Sequence, residues 1–111
     1  MSAHTTLGGV YTARFPYLDS SEDKIRPGIV VSKPFSKFGI IAIIPISSKA
    51  TLQTVDVTLG EWKSAGLARA SVARVHRLTT MLQSDLIAEL GQLSTKDVKA
   101  LKTSIQKFLD L

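Results

Sequence analysis

The chain has 111 residues, 44% of them hydrophobic and 21% charged, which is the balance of one globular domain, and no apolar run is long enough to cross a bilayer. The absence of cysteine excludes a disulfide framework and a thiolate metal site, and the two histidines are too far apart to suggest another metal centre or a cofactor. A formal net charge of +5 favours nucleic acid or acidic proteins as partners, so we predict a single cytoplasmic domain over residues 1–111 that binds neither metal nor membrane.

The first half of the chain predicts three strands. A β-rich run at residues 10–15 is stopped by Pro16, and the polar residues 19–24 that follow are typical of an exposed loop. A short apolar segment at residues 29–32 predicts a buried strand. Residues 39–46 are almost continuously aliphatic, rich in β-branched side chains and bounded by Gly and Pro, so we expect a central strand there.

The second half predicts shorter strands and a turn. Residues 53–59 alternate apolar and polar side chains strictly, which indicates a strand with one buried and one wet face. Residues 60–66, which carry Trp62, predict a turn or a single helical stretch. Residues 70–75 and 78–82 are again β-like.

The last predicted element is a helix. Ser94 stands where an N-cap belongs, and Asp97 follows three residues later as in a capping box. Apolar residues then recur at helical spacing and predict a stripe that docks on the sheet: Val98, Leu101, Ile105 and Phe108. Five or six short strands followed by one helix predict a mainly β fold with some α structure (α+β), namely a small closed antiparallel barrel with a C-terminal helix.

Four short motifs follow one another along nearly the whole chain. They are GVYTARFPYLD at residues 9–19, KIRPGIVVS at 24–32, IPISS at 44–48, and Gly66-Leu67 with Ser71, followed by LGQLS at 90–94. In their order and spacing they resemble the MazF/PemK family of toxins, which share an SH3-like, CcdB-type barrel with the CcdB gyrase poisons. The resemblance implies the toxin of a type II toxin–antitoxin system.

The activity that this resemblance implies is metal-independent cleavage of single-stranded RNA at short sequence motifs, through attack of a ribose 2′-OH on the adjacent phosphate. Such a reaction needs a base, an acid, and a cation or hydrogen-bond donors for the phosphorane oxygens. Arg26 matches the family's catalytic arginine, whose guanidinium clamps a phosphate. Ser47 stands at the position of the family's catalytic threonine and keeps the hydroxyl without the methyl group.

The general base is marked less clearly than the arginine. Some family members carry a glutamate five residues before that arginine, where this chain has Ser21, with Glu22 one place later. Glu22 is the base if the loop shifts by one residue, and otherwise the base comes from elsewhere. His76 is a second candidate because imidazole exchanges protons near neutral pH, although a surface position at the rim of the barrel explains it equally well.

A basic set of side chains is our candidate for holding RNA along its phosphates. Its basic members are Lys24, Lys33, Lys37, Lys49, Arg69, Arg74 and Arg77, and Ser48 is the one uncharged candidate beside them. Phe35 and Phe38 interleave with two of these lysines in the segment between two predicted strands, and aromatic rings of this kind can stack on bases. Trp62 is assigned to the core or to a dimer surface, and the lysines of the final helix to its solvated face.

Two other functions stay open on the sequence alone. A barrel of this kind can be a non-enzymatic toxin that binds DNA gyrase, although the C-terminus at residues 108–111 lacks the tip that those relatives use. It can also be a family member that has lost catalysis. The resemblance further implies a homodimer and a cognate antitoxin whose acidic C-terminal tail occupies the RNA groove, a contact that charge complementarity would make fast.

Overall fold

The computed structural model describes residues 7–15, 24–48 and 52–111, in which seven strands precede one long helix. The elements are β1 (Gly9–Phe15), β2 (Lys24–Val30), β3 (Ile40–Ser47), β4 (Val57–Thr58), β5 (Val72–Ala73), β6 (Thr79–Leu82), β7 (Leu86–Gln92) and α1 (Thr95–Leu109). Single-turn 3-10 helices at Val75–Arg77 and Gln83–Asp85 flank β6. The predicted class, mainly β with a C-terminal helix, is confirmed.

The strands pair antiparallel in the order β4-β5-β3-β2-β1-β7. β3 is the central strand because β2 covers one of its edges, while β6 and β5 share the other at residues 40–43 and 46–47. Within the described residues no pairing joins β6 to β7, so the sheet is open there and the predicted closed barrel is too strict a description. Closure would require β7 to pair with a strand at the other end of the sheet, β4 or β6, whereas among the described residues it pairs with β1 alone.

The half-buried strand predicted at residues 53–59 is reduced to the two residues of β4. Its first half is a turn, in which the Asp56 N–H donates to the Gln53 carbonyl at 3.0 Å and the Gln53 N–H donates to the Asp56 carboxylate at 3.1 Å. An aspartate that bonds nearby backbone groups offers the chain an alternative to a strand ladder. The β-like run at 70–75 is likewise shortened to β5, because a 3-10 turn starts at Val75.

β7 was not predicted from the sequence, and β2 starts earlier than was predicted. β7 contains alanine, glutamate and leucine, which favour helices, and most of its side chains are exposed at the sheet edge, so neither propensity nor alternation marks it. β2 begins at Lys24 and runs through Pro27. This proline is tolerated because β3 pairs with β2 only from Gly28 onward, which leaves one edge of β2 open at residue 27.

Side chains of β3 alternate between two separate apolar clusters. Ile44 and Ile46 pack in the cluster that includes Leu101 of α1, whereas Ile41 and Ile43 pack in a second cluster on the other face. All four isoleucines are buried, since each face of the strand is covered. Burial on both faces explains why this strand reads as an almost continuous apolar run.

The helix begins as predicted, but its capping aspartate has another role. The Ser94 hydroxyl accepts a hydrogen bond from the Asp97 N–H at 3.1 Å, which confirms the N-cap. The buried Asp97 carboxylate accepts from the backbone N–H groups of Gly60 at 3.3 Å and Glu61 at 3.0 Å, and so fastens the turn at residues 60–66 to the helix start.

The apolar stripe of the helix is shorter than predicted. Val98, Leu101 and Ile105 pack on the core, and Trp62 packs there too, in agreement with its predicted assignment. Phe108 is 41% exposed, because the last turn of the helix lies beyond the core cluster.

Candidate functional site

A pocket opens where β2 and β3 diverge. The two strands pair as far as Gly28 opposite Pro45. The same register continued by two residues places Arg26 opposite Ser47, and side chains two residues apart on a strand share a face. Local strand geometry therefore brings together the two residues that were predicted to be catalytic.

The pocket has a volume of about 220 Å³ and three chain segments line it. Its lining residues are Arg26, Pro27, Ile46, Ser47, Ser48, Leu67, Ala68, Arg69 and Ser71. Pockets for whole small molecules measure about 300–1,000 Å³, so this one suits part of a nucleotide, such as a phosphate with its nearest substituents. Four of the predicted site residues meet here: the two arginines and the serines at 47 and 48.

The third wall of the pocket, residues 67–71, is positioned by a contact between two glycines. Gly66 has a φ of +84°, and a Cβ built there would lie 2.1 Å from the carbonyl oxygen of Leu90. A Cβ on Gly91 would lie 2.6 Å from the carbonyl oxygen of Ala65. Because neither residue has a side chain, the backbone of the turn packs directly on β7, and this contact sets where the wall begins.

Hydrogen bonds hold the backbone of this wall. The Ser71 hydroxyl donates to the Arg69 carbonyl at 2.7 Å, and the Leu59 N–H donates to the Ser71 carbonyl at 3.0 Å. The arginine side chain stays exposed at the rim. Leu67 and Ser71 belong to a motif in the sequence but were not predicted to line the site, although that motif was the signal that could have identified them.

The described lining of the pocket is cationic. Arg26 is half-buried and Arg69 is exposed, and the described residues that line the pocket include no carboxylate and no imidazole. Partial burial strengthens the attraction between a guanidinium and an anion, because less water screens it. With serine hydroxyls beside the two arginines, the arrangement can bind an anionic group through charge-assisted hydrogen bonds.

Those of the other predicted RNA-binding residues that the structure describes lie outside the pocket. Lys24 is exposed at the start of β2 and Arg77 is exposed in the 3-10 turn after β5. Lys33 and Lys37 are exposed beyond the far end of β3, which spans roughly 23 Å at about 3.3 Å per residue. Glu22 and Lys49 lie outside the described residues.

Arg74 and His76 converge on the carboxylate of Asp56. The Arg74 Nε lies 3.1 Å from Asp56 Oδ2, and the His76 Nδ1 lies 2.9 Å from Asp56 Oδ1. The Asp56 side chain is fully buried, at 0% exposure, so the two side chains compensate a carboxylate that water does not reach. Neither of them lines the pocket, so the structure does not bring His76 to Arg26.

We expect the Asp56→Ala variant to lose about 2–4 kcal/mol of unfolding free energy, because the change leaves Arg74 without its anion and removes the bond that closes the turn. Urea denaturation followed by circular dichroism measures the loss. Glu61→Ala removes an exposed carboxylate and is the matched control, with an expected change within about 0.5 kcal/mol. Equal stabilities of the two variants would contradict the role of the buried carboxylate.

The described residues contain neither a metal-binding cluster nor a membrane-spanning helix. Within residues 7–15, 24–48 and 52–111, no three histidine, aspartate or glutamate side chains gather in a way that would hold a metal ion. In the same part of the chain, no helix has the length and apolar content that a membrane span needs. The predicted lack of a metal or cofactor stays a prediction.

The chain matches the family described as "PemK-like, MazF-like toxin of type II toxin-antitoxin system" over residues 6–109. This match includes all three segments that line the pocket. None of the curated protein sequences is significantly similar to the chain.

Solved structures of low sequence identity share the fold. An endoribonuclease in complex with its cognate antitoxin from a mycobacterial species aligns with a TM-score of 0.74 and 16% identity, over 95% of this chain and 94% of that one. The Mycobacterium tuberculosis toxin MazF-mt6 aligns with a TM-score of 0.74 and 20% identity, over 93% and 97%. MazF from Deinococcus radiodurans aligns with a TM-score of 0.70 and 16% identity, over 95% and 96%.

Proposed function

Because this chain belongs to the PemK-like, MazF-like toxins of type II toxin–antitoxin systems, we propose that it is a metal-independent endoribonuclease that cuts single-stranded RNA at short sequence motifs. The observation that carries the proposal is the placement of Arg26 and Ser47 in one cationic pocket, opposite each other on two diverging strands. The pocket is the right size for the phosphodiester linkage that would react.

The reaction that suits this pocket is an internal transesterification. The 2′-OH gives its proton to a base as the 2′-oxygen bonds to the adjacent phosphorus, and the bond from phosphorus to the 5′-oxygen breaks. The departing 5′-oxygen takes a proton from the protonated base or from water, which leaves a cyclic phosphate and a 5′-OH. Arg26 binds the non-bridging oxygens and compensates the charge that develops on them. The Ser47 hydroxyl donates a hydrogen bond to one of these oxygens, and Arg69 at the rim holds a neighbouring phosphate.

We expect the Ser47→Ala variant to lose about 10²-fold in kcat/KM, because one donor to the phosphorane oxygen disappears. Ser47→Thr keeps that donor, so it should retain most of the activity, and Thr54→Ala, which removes an exposed hydroxyl outside the pocket, is the control. The rates are measured on a short fluorogenic RNA. A Ser47→Ala enzyme as fast as the Thr54→Ala control would remove Ser47 from the mechanism.

The proton from the 2′-OH needs an acceptor that the described lining of the pocket does not supply. We assign this role to Glu22, which precedes Arg26 by four residues. The Glu22→Gln variant should cleave at least about 10²-fold more slowly. Its pH–rate profile should lack the acidic limb that protonation of the carboxylate base produces in the wild type. If His76→Gln abolishes that limb while Glu22→Gln leaves it in place, the base is the histidine.

We propose that the toxin acts in the cytoplasm as a homodimer and is neutralised by a cognate antitoxin with an acidic C-terminal tail. The net charge of +5 and the cationic pocket support an acidic ligand. The fold is shared with an endoribonuclease that binds its cognate antitoxin. Sedimentation of the toxin, alone and with the product of an adjacent reading frame, tests both assemblies.

The experiment that tests the proposed activity is incubation of the purified protein with a long unstructured RNA in excess EDTA, followed by mapping of the new 5′ ends. Discrete cuts at a recurring short motif, with a 5′-OH and a cyclic phosphate at each cut, are the expected result. Intact RNA together with inhibited supercoiling by DNA gyrase would replace the proposal with the gyrase-binding alternative.

A further inference from the structure

The connection between β2 and β3 is a rigid hairpin tip, which we define as residues 33–40. Phe35 and Ile40 exchange two backbone hydrogen bonds of 2.8 and 2.9 Å across its base. Ser36 has a φ of +65°, and its hydroxyl accepts from the Phe38 N–H at 3.2 Å. The Gln83 N–H donates to the Gly39 carbonyl at 2.7 Å, which ties the tip to the turn after β6. The tip is therefore held in one conformation by hydrogen bonds within it and by a hydrogen bond to the turn after β6.

This rigid tip presents aromatic rings to water. Phe35 is 73% exposed and Phe38 is 65% exposed. Neither ring belongs to a core cluster, so the packing of the core does not require an aromatic residue at either position. The ammonium group of Lys37 lies 5.4 Å from the centre of the Phe38 ring, and Lys33 is exposed at the base. Fixed aromatic faces next to lysines are what single-stranded nucleic acid requires, because every base can stack on a ring while its phosphate meets a cation.

The charge of the hairpin favours a polyanion over an apolar protein surface. Residues 24–48 contain four lysine or arginine residues and no aspartate or glutamate. Asp85, in the turn after β6, lines the same groove as Ile40 of the tip, and its carboxylate accepts a hydrogen bond from the Leu82 N–H at 3.2 Å. The same cationic hairpin carries Arg26 at one end and the tip at the other, separated by the length of β3.

We propose that the tip is a second RNA-binding site, where bases of the substrate several nucleotides away from the scissile phosphate stack on Phe35 and Phe38. This proposal rests on the proposed ribonuclease function, because the strand that the tip holds is the one that enters the pocket. The tip would contribute affinity for long RNA and nothing to the chemical step, since it lies far from the reacting phosphate.

The test is binding of fluorescein-labelled 2′-O-methyl oligoribonucleotides, which lack the attacking hydroxyl and cannot be cut. We expect the double variant Phe35→Ser/Phe38→Ser to bind a 20-mer at least about 30-fold more weakly than the wild type, as loss of two stacked bases predicts, and to bind a 5-mer equally well. Phe108→Ser removes an exposed phenylalanine from the end of α1 and is the matched control, with no expected change at either length. Circular dichroism checks that all three proteins fold.

The lysines give an independent readout. For single strands, each phosphate contact adds about 0.7 to the slope of log affinity against log salt, so Lys33→Gln/Lys37→Gln should lower the slope for the 20-mer by about 1.4. The slope for the 5-mer should not change. Lys99→Gln/Lys102→Gln on the exposed face of α1 is the control pair.

The outcomes separate this proposal from the proposed function. Unchanged 20-mer binding by the phenylalanine variant overturns the second site and leaves a protein partner as the ligand of the tip, whereas equal losses at both lengths overturn it by showing a general effect on the protein. A length-dependent loss supports the second site. If the wild type binds the 20-mer through the tip but does not cut unmodified RNA, the site stands and the ribonuclease proposal fails.

Discussion

The Arg26→Ala variant is expected to lose RNA cleavage by at least about 10³-fold in kcat/KM, because it removes the only half-buried cation that the described lining of the pocket contains. The guanidinium can contact two phosphate oxygens at once and stays charged through the whole reaction. The loss should appear mainly in kcat, since charge accumulates on those oxygens as the reaction proceeds. Single-turnover rates on a short RNA measure it.

Two matched variants show what the arginine supplies. Arg26→Lys keeps the charge but not the planar pair of donors, so it should recover only part of the rate. Arg69→Ala removes the exposed arginine at the rim and should cost about tenfold, chiefly in KM. Because Arg26 is half-buried, thermal unfolding of each variant must accompany the rates. An Arg26→Ala protein that folds and cuts RNA as fast as the wild type would show that this pocket is not the active site.

The Gly66→Ala variant is expected to lose roughly 3 kcal/mol or more of unfolding free energy. The residue has a φ of +84°, which a side chain disfavours, and the added Cβ would lie 2.1 Å from a backbone oxygen of β7. Backbone atoms cannot rotate away as a flexible side chain can, so the turn must separate from the strand. Urea denaturation measures the loss, and a fall in Tm of more than about 10 °C should accompany it.

Gly60→Ala in the same turn is the control. A Cβ at Gly60 would find its nearest neighbour, an oxygen of Asp97, at 3.9 Å, and this glycine has no positive φ. The change should alter stability by less than about 1 kcal/mol. RNA cleavage gives a second distinction between the two variants. Gly66→Ala should slow it and Gly60→Ala should not, because Gly66 positions the wall of the pocket that carries Arg69. If Gly66→Ala is as stable as Gly60→Ala, the glycine contact does not hold the turn on β7.

Several elements could be predicted because their signals are local. The apolar run of β3 and the helical spacing from Val98 to Ile105 are read from neighbouring residues, and the Ser94 cap involves a bond only three residues long. The prediction of a strand at residues 53–59 was wrong for an equally local reason, since the Asp56 carboxylate bonds a nearby backbone N–H in place of the hydrogen-bond ladder of a strand. β7 could not be predicted, because an exposed edge strand is specified by its partner β1 and not by its own composition.

The fold class, the central strand, the helix and the family could all be predicted from the amino-acid sequence, together with Arg26 and Ser47 as candidate residues. That these two residues share a pocket with Arg69, and that Arg74 and His76 face Asp56 instead, follows from how distant segments pack. Positions 26, 47 and 69 are about twenty residues apart, so no periodicity relates them. Their meeting depends on the register of β2 and β3 and on the glycine contact that docks a distant turn, and both are set by packing between segments that the chain brings together only when it folds.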